Sequence, residues 1–192
     1  MKPTEILSAE HRVIEQVLDV LEIMASRAET SGELDAASAG DAVSFFRAFA
    51  DQCHHGKEEA LLFPAMEAKG FAREGGPTGV MMQEHDLGRR CVRGMADAIE
   101  KGDAKSFARN GRAYVELLRQ HIQKEDHCLF NMADQALNPA EQASLLAAFE
   151  TVEHDHMGAG THEKFLKLAD DLADRYDVRH AQTAAPSCCC HH

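Results

Sequence analysis

Apolar residues recur along most of this chain at intervals of three and four, the spacing that lines one face of an α-helix, and they seldom alternate with polar residues as a strand requires. From Pro3 to about Ala28 the set Ile6, Leu7, Ile14, Val17, Leu18, Leu21 and Met24 marks a first helix, with Pro3 suited to its first turn. Thr30 to Gly40 reads as a loop. A second helix, from near Asp41 towards Gly70, carries Val43, Phe46, Phe49, Ala50, Leu61, Leu62 and Met66, and Pro64 predicts a kink or an early stop in it. A third helix, from about Thr78, holds Val80, Met81, Leu87, Val92, Met95 and Ile99 and ends at Gly102. Asp103 then caps a fourth, which continues through Phe107, Tyr114, Leu118, Ile122 and Leu129 to about Leu137. Asn138, Pro139 and Glu141 supply the N-cap, first-turn proline and capping-box acid of a fifth helical segment, which Gly158 and Gly160 interrupt before Tyr176. The pattern predicts an all-α domain over residues 1–176, followed by a disordered tail over 177–192.

The chain also repeats itself. Ala9-Glu10-His11 is echoed by Gln83-Glu84-His85, and the run His54, Lys57, Glu58, Glu59, Leu62, Phe63 by His121, Lys124, Glu125, Asp126, Leu129, Phe130 at identical spacing. The interval from His11 to His54 is 43 residues and that from His85 to His121 is 36, a difference that a longer loop accounts for. Two similar helical hairpins of this kind predict a pseudo-twofold bundle in which each contributes to a shared centre.

Composition narrows the setting. Twenty Lys and Arg against 32 Asp and Glu give a net charge of -12, which opposes binding to a phosphate backbone, so no nucleic-acid partner is expected. No apolar run approaches the roughly 20 residues that span a bilayer, and the first residues lack a signal-like segment; the expectation is a cytoplasmic protein with no membrane association. Six cysteines, three dispersed and three crowded at Cys188, Cys189 and Cys190, do not form the framework of a secreted disulfide protein.

Twelve histidines change the picture most. Residues four apart on a helix share a face, so His54 with Glu58 and His121 with Glu125 each present an imidazole beside a carboxylate. One such pair is usually a solvated surface feature. Two in the same local context, each downstream of a Glu-His dipeptide, point instead to a metal site in which a carboxylate from each hairpin bridges two cations; the N/O donor set suits iron, manganese or zinc. His11 and His85 complete one histidine per helix.

These motifs resemble those of the hemerythrin-like family, the histidine-histidine-glutamate cation-binding domains, over about residues 4 to 176. The resemblance implies an up-down-up-down four-helix bundle with an extra C-terminal helical segment, the latter matched by Gly158 to Tyr176. It implies six metal ligands, His11, His54, Glu58, His85, His121 and Glu125, around two iron ions in a non-haem, oxo- or hydroxo-bridged centre. By the same resemblance the protein binds dioxygen or a related small ligand, peroxide or nitric oxide; the alternative is an iron or oxygen sensor, or an iron-handling protein of storage or cluster repair, with a protein partner. The sequence leaves carrier, sensor and oxidoreductase open, and a helical interaction module without metal is the plainest rival.

One departure matters. Oxygen-carrying hemerythrins have a second histidine one turn after the first on the third helix, where this chain has Arg89. Solvent, His55, Glu59, Glu15 or Glu84 are the candidates to fill the gap, and Glu15 has the best α-helical geometry because it lies one turn from His11. Gly88, one turn from His85, offers either space for a ligand or a close-packing point. Cys53 and Cys128 read as ordinary small residues. The group His154, Asp155, His156 and His162 reads as helix surface, and the terminal Cys188 to His192 cluster as a tail with some capacity for soft metals.

Overall fold

A computed structural model describes residues 1–152 and 160–181. His154, Asp155, His156 and Gly158, and the tail cluster from Cys188 to His192, lie outside the described residues. All regular structure among the described residues is helical. The first helix, α1 (Pro3–Ser31), ends at Gly32, whose φ of 73° is a left-handed stop. The second arm of the bundle begins at Ala36, earlier than the apolar pattern suggests. Asp35 caps it by accepting from the backbone N–H groups of Ala37 and Ser38 at 3.1 and 3.2 Å. The expected loop from Thr30 to Gly40 therefore shrinks to the residues around Gly32 and Asp35, because the small residues Ala36 to Gly40 carry helix without marking an apolar stripe.

This arm is α2 (Ala36–Phe45), two π-helical stretches at Phe46–His55 and Glu58–Leu62, and α3 (Phe63–Glu67). The third arm is α4 (Pro77–Lys101). Gly102, at φ 63°, and Asp103, whose side chain accepts from Ser106 N–H at 3.0 Å, turn the chain into the fourth arm. That arm is α5 (Ala104–Lys124), a π-helical turn at Glu125–Leu129, and α6 (Phe130–Ala136). The arms alternate in direction as a four-helix bundle. Two further helices, α7 (Pro139–Val152) and α8 (Thr161–Tyr176), lie against α1. The Asn138 capping box at the start of α7 forms as expected: its side chain accepts from Ala140 and Glu141 N–H at 3.0 Å, and Glu141 accepts from Asn138 N–H at 2.9 Å. At the start of the expected tail the chain still bonds to the fold, with Val178 N–H on Ala173 carbonyl at 2.9 Å and Ala181 N–H on Gln16.

Pro64 neither stops nor isolates the second arm, since it sits in the first turn of α3 just after a wide π turn. In that turn Phe63 N–H donates to Glu58 carbonyl, five residues back. The fourth arm makes the same turn, with Phe130 N–H on Glu125 carbonyl, although Asn131 stands where Pro64 does. Proline is thus not the cause. What the two turns share is a buried glutamate at their first position, and π turns of this kind concentrate at functional sites.

The core is in two parts. One apolar cluster gathers Val13 to Met24 of α1, Phe45, Phe46 and Phe49 of the second arm, Phe107 and Leu118 of α5, and Phe165 and Leu172 of α8. The other, at the opposite end of the bundle, gathers Leu7, Leu62, Phe63, Met66, Met81, Leu129 and Phe130 with Leu145 and Phe149 of α7. Each fully buried Leu or Phe contributes on the order of 2 kcal/mol, so both ends are held firmly enough to fix whatever lies between them.

Candidate metal centre

Between the two apolar clusters, every arm places polar side chains in one layer. His11, His54, His55, Glu58, His85, His121 and Glu125 are each at most 3% exposed. They form two overlapping groups, His55, Glu58, His85 and His121, and His11, His54, Glu58 and Glu125, within each of which the ligand-type atoms lie within 4.8 Å of one another. Each glutamate turns one oxygen towards each group. Glu58 lies 3.6 Å from His54 Nε2 through one oxygen and 3.5 Å from His85 Nε2 through the other, while Glu125 lies 3.2 Å from both His121 Nε2 and His11 Nε2. The six residues picked out by the sequence repeat are therefore brought to one place, and His55 joins them.

Four of the imidazoles are oriented by a carboxylate on the far ring nitrogen. Glu10 takes His54 Nδ1 at 2.9 Å, Glu84 takes His121 Nδ1 at 2.9 Å, Asp126 takes His11 Nδ1 at 2.8 Å and Glu59 takes His85 Nδ1 at 2.7 Å. The arrangement follows the sequence repeat. The glutamate before each lone histidine orients the His-x-x-x-Glu histidine of its own hairpin, and the acid after each inner glutamate orients the lone histidine of the other. Lys57 and Lys124, equivalent in the repeat, pair with Glu10 and Glu84. Phe63 and Phe130, also equivalent, stack on His85 and His11 at 5.9 and 5.4 Å. With Nδ1–H donated to a carboxylate, each Nε2 presents its lone pair to the layer.

Without a cation such a layer is poorly satisfied. Both oxygens of Glu58, both oxygens of Glu125 and His11 Nε2 are buried without a hydrogen bond, the 3.2 Å approaches being misaligned for one. His85 Nε2 and His121 Nε2 stand 3.1 Å apart, which two nitrogens accept only with a proton or a metal ion between them. A proton answers that one contact and leaves five buried atoms unbonded, each at a cost of about 1–3 kcal/mol or more. Metal ions answer all of them, and the donor set of imidazoles and carboxylates fits a borderline divalent cation. Burial and the neighbouring Glu125 push the Glu58 carboxyl well above its ordinary range. Glu125 is held well below its own because His121 and His11 outweigh its burial. Burial and the adjacent His55 lower His85 to about 3, and burial lowers His55 to about 4.

The two halves differ in two ways. Lys57 is buried beneath α7, its Nζ 5.7 Å from the Phe149 ring, whereas the Lys124 side chain is 41% exposed. The second difference is His55, whose equivalent in the repeat is Ile122. Neighbours on an α-helix diverge by about 100°, so a His-His dipeptide ordinarily turns one ring outward; here the π-helical stretch Phe46–His55 carries both inward. His55 stacks on His85 at 3.8 Å and falls in one group of ligand-type atoms with Glu58, His85 and His121. The other candidates to replace the missing third-helix histidine lie elsewhere. Glu15 pairs with Arg12 at 2.7 Å on the outside of α1, and Glu59 and Glu84 serve as the orienting carboxylates. Arg89 itself bridges Asp51 and Glu59 at 2.8 and 2.6 Å.

The sequence signal for His55 was the His54-His55 dipeptide, which only the π geometry makes meaningful. Asp126 was visible as the counterpart of Glu59 in the repeat. Cys53 is buried in the larger apolar cluster, with Glu10 and His162 close by, and Cys128 is exposed. His162 is half-buried against Phe49, at 5.3 Å, and not on an open helix surface.

Comparison with known proteins agrees with this layout. A family model described as the hemerythrin HHE cation binding domain matches residues 2–133, which reach into all four arms of the bundle and include all seven residues of the layer. Uncharacterized proteins of Mycobacterium tuberculosis and Mycobacterium bovis are 24% identical over 176 residues, spanning 88% of this chain and 67% of theirs. No solved structure matches. Among the described residues no helix is long and apolar enough to cross a membrane.

Proposed function

Because the chain belongs to the hemerythrin HHE cation-binding family, we propose that its buried layer holds two non-haem iron ions and binds dioxygen, or a related small ligand such as peroxide or nitric oxide. The observation that supports this most strongly is the set of buried, unbonded atoms on Glu58, Glu125 and His11, facing one another between two dry apolar clusters. In this reading His55, His85 and His121 would hold one ion and His11 and His54 the other, with Glu58 and Glu125 supplying carboxylate oxygens. Iron, when bound, supplies one-electron redox chemistry and a coordination position that a small ligand can take.

The chain's own residues do the rest. Glu10, Glu59, Glu84 and Asp126 fix four imidazoles in the tautomer and direction that a cation needs. Phe63 and Phe130 cover two of those rings and exclude water from that side. Anaerobic ferrous protein mixed with dioxygen is expected to develop a visible absorption band. Loss of the band on evacuation identifies carriage, and an irreversible change that consumes peroxide identifies an oxidoreductase. A protein holding two irons whose spectrum is indifferent to dioxygen, peroxide and nitric oxide contradicts the reading.

A further inference from the structure

Among the described residues, a cavity reaches the layer from outside. It has a volume of about 120 Å³ and ends on His55 and His85. Gly88 leaves its floor open: a Cβ there would come 3.3 Å from the ring of Tyr114, which forms part of the wall. At about 30 Å³ per water, the space suits a molecule of a few heavy atoms. The outer lining is unusual for a chain of net charge -12, because it consists of Arg47, Arg89 and Arg93 against the single carboxylate Asp51. Arg89 is shared among Asp51, Glu59 and Asp86, at 2.8, 2.6 and 3.1 Å, so its charge is already taken up and the free positive charge of the rim is that of Arg47 and Arg93. Arg47 and Arg93 are exposed and make no ion pair among the described residues.

We propose that this cavity is the entry for a small, singly charged anion, of the class of azide, nitrite or hydroperoxide, and that Arg47 and Arg93 draw it in against the protein's overall negative field. The inference rests on the iron reading above and adds to it the residues of this chain that guide the ligand in. A pocket meant only for neutral dioxygen has no use for unpaired guanidinium groups at its mouth. Two full charges at the rim of a low-dielectric cleft raise anion arrival rates by tenfold or more at low ionic strength, and screening removes the gain over distances beyond about 10 Å at 0.1 M salt.

The test uses sodium azide and nitric oxide as probes, followed by stopped-flow absorption, with the iron-loaded chain and its Arg47→Glu/Arg93→Glu variant. Both sites are exposed, so the fold is expected to survive, and iron per chain is measured on each preparation. Azide binding to the ferric unsubstituted protein is expected to slow several-fold between about 10 mM and about 0.5 M salt. The variant is expected to bind azide about tenfold more slowly at low salt, and to converge on the unsubstituted protein at high salt. Uncharged nitric oxide is expected to bind the ferrous forms of both proteins equally fast. Azide rates that agree within about twofold at low salt, or nitric oxide slowed as much as azide, overturn the anion entry while leaving the iron centre intact. Absence of iron from the unsubstituted protein overturns the iron reading and this one with it.

Discussion

Glu58→Gln is expected to empty the centre of both metal ions and, at the same time, to make the metal-free protein harder to unfold at neutral and alkaline pH. The first effect follows because Glu58 belongs to both ligand groups, and one neutral amide in place of the shared carboxylate removes a charged donor from each. Outer partners of a metal site typically cost about 10–100-fold in affinity when lost, and a shared inner ligand more than that. The second effect follows from the carboxyl's own balance. Its folded value lies well above the ordinary 4.5, through burial and the neighbouring Glu125. A carboxyl raised in this way contributes its full stability only below about pH 4.5, and loses it as the pH climbs through the folded value. Glutamine, which carries no charge at any pH, escapes that loss. Urea unfolding of the two metal-free proteins at pH 8, beside their iron contents, checks both halves. A variant that still holds iron, or that is less stable than the unsubstituted metal-free chain, would count against the assignment.

Removal of metal with a chelator is expected to lower the thermal midpoint by about 10–15 °C. Ligands that bind only the folded state stabilise it by about 4 kcal/mol at a thousandfold excess over Kd, and for a chain of this length each kcal/mol moves the midpoint by about 2–4 °C. The two apolar clusters should persist at both ends of the bundle, so helical circular dichroism at low temperature should change little. The strain falls on the polar layer between them. A midpoint indifferent to the chelator would mean that the layer folds equally well without cations, and that its unbonded carboxylates have another explanation.

Much of this architecture was legible in the sequence because its determinants are local. The Gly102–Asp103 turn, the Asn138 capping box and the apolar stripes of α1 and α4 each depend on residues within a few positions of one another. The repeat of Glu-His and His-x-x-x-Glu also located six of the seven residues of the layer, since a duplicated hairpin returns equivalent residues to one axis. His55 was harder to read because α-helical geometry turns the second residue of a His-His pair away, and the π-helical stretch that reverses this has no simple sequence mark. Glu15 looked better placed on the same α-helical rule. Yet α1 shows that position to the outside, where Arg12 is its partner. The start of the second arm was missed for a related reason: Ala36 to Gly40 are too small to draw an apolar face, and the Asp35 cap, which is decisive, looks like any loop aspartate.

The roles of Glu10, Glu59, Glu84 and Asp126 became visible only with the arms assembled. Each reaches a histidine on another arm, a contact between residues 26 to 115 positions apart. Sequence spacing on one helix cannot show such a partner. It does show that the acids recur in the repeat, and the pseudo-twofold arrangement explains why.

Anomalous scattering at the iron edge, from crystals of the iron-loaded protein, tests the central claim most directly. Two peaks about 3.5–4 Å apart are expected in the layer between the apolar clusters, one beside His55, His85 and His121 and the other beside His11 and His54, with Glu58 and Glu125 next to both. A single peak, or peaks only on the surface, would contradict the claim.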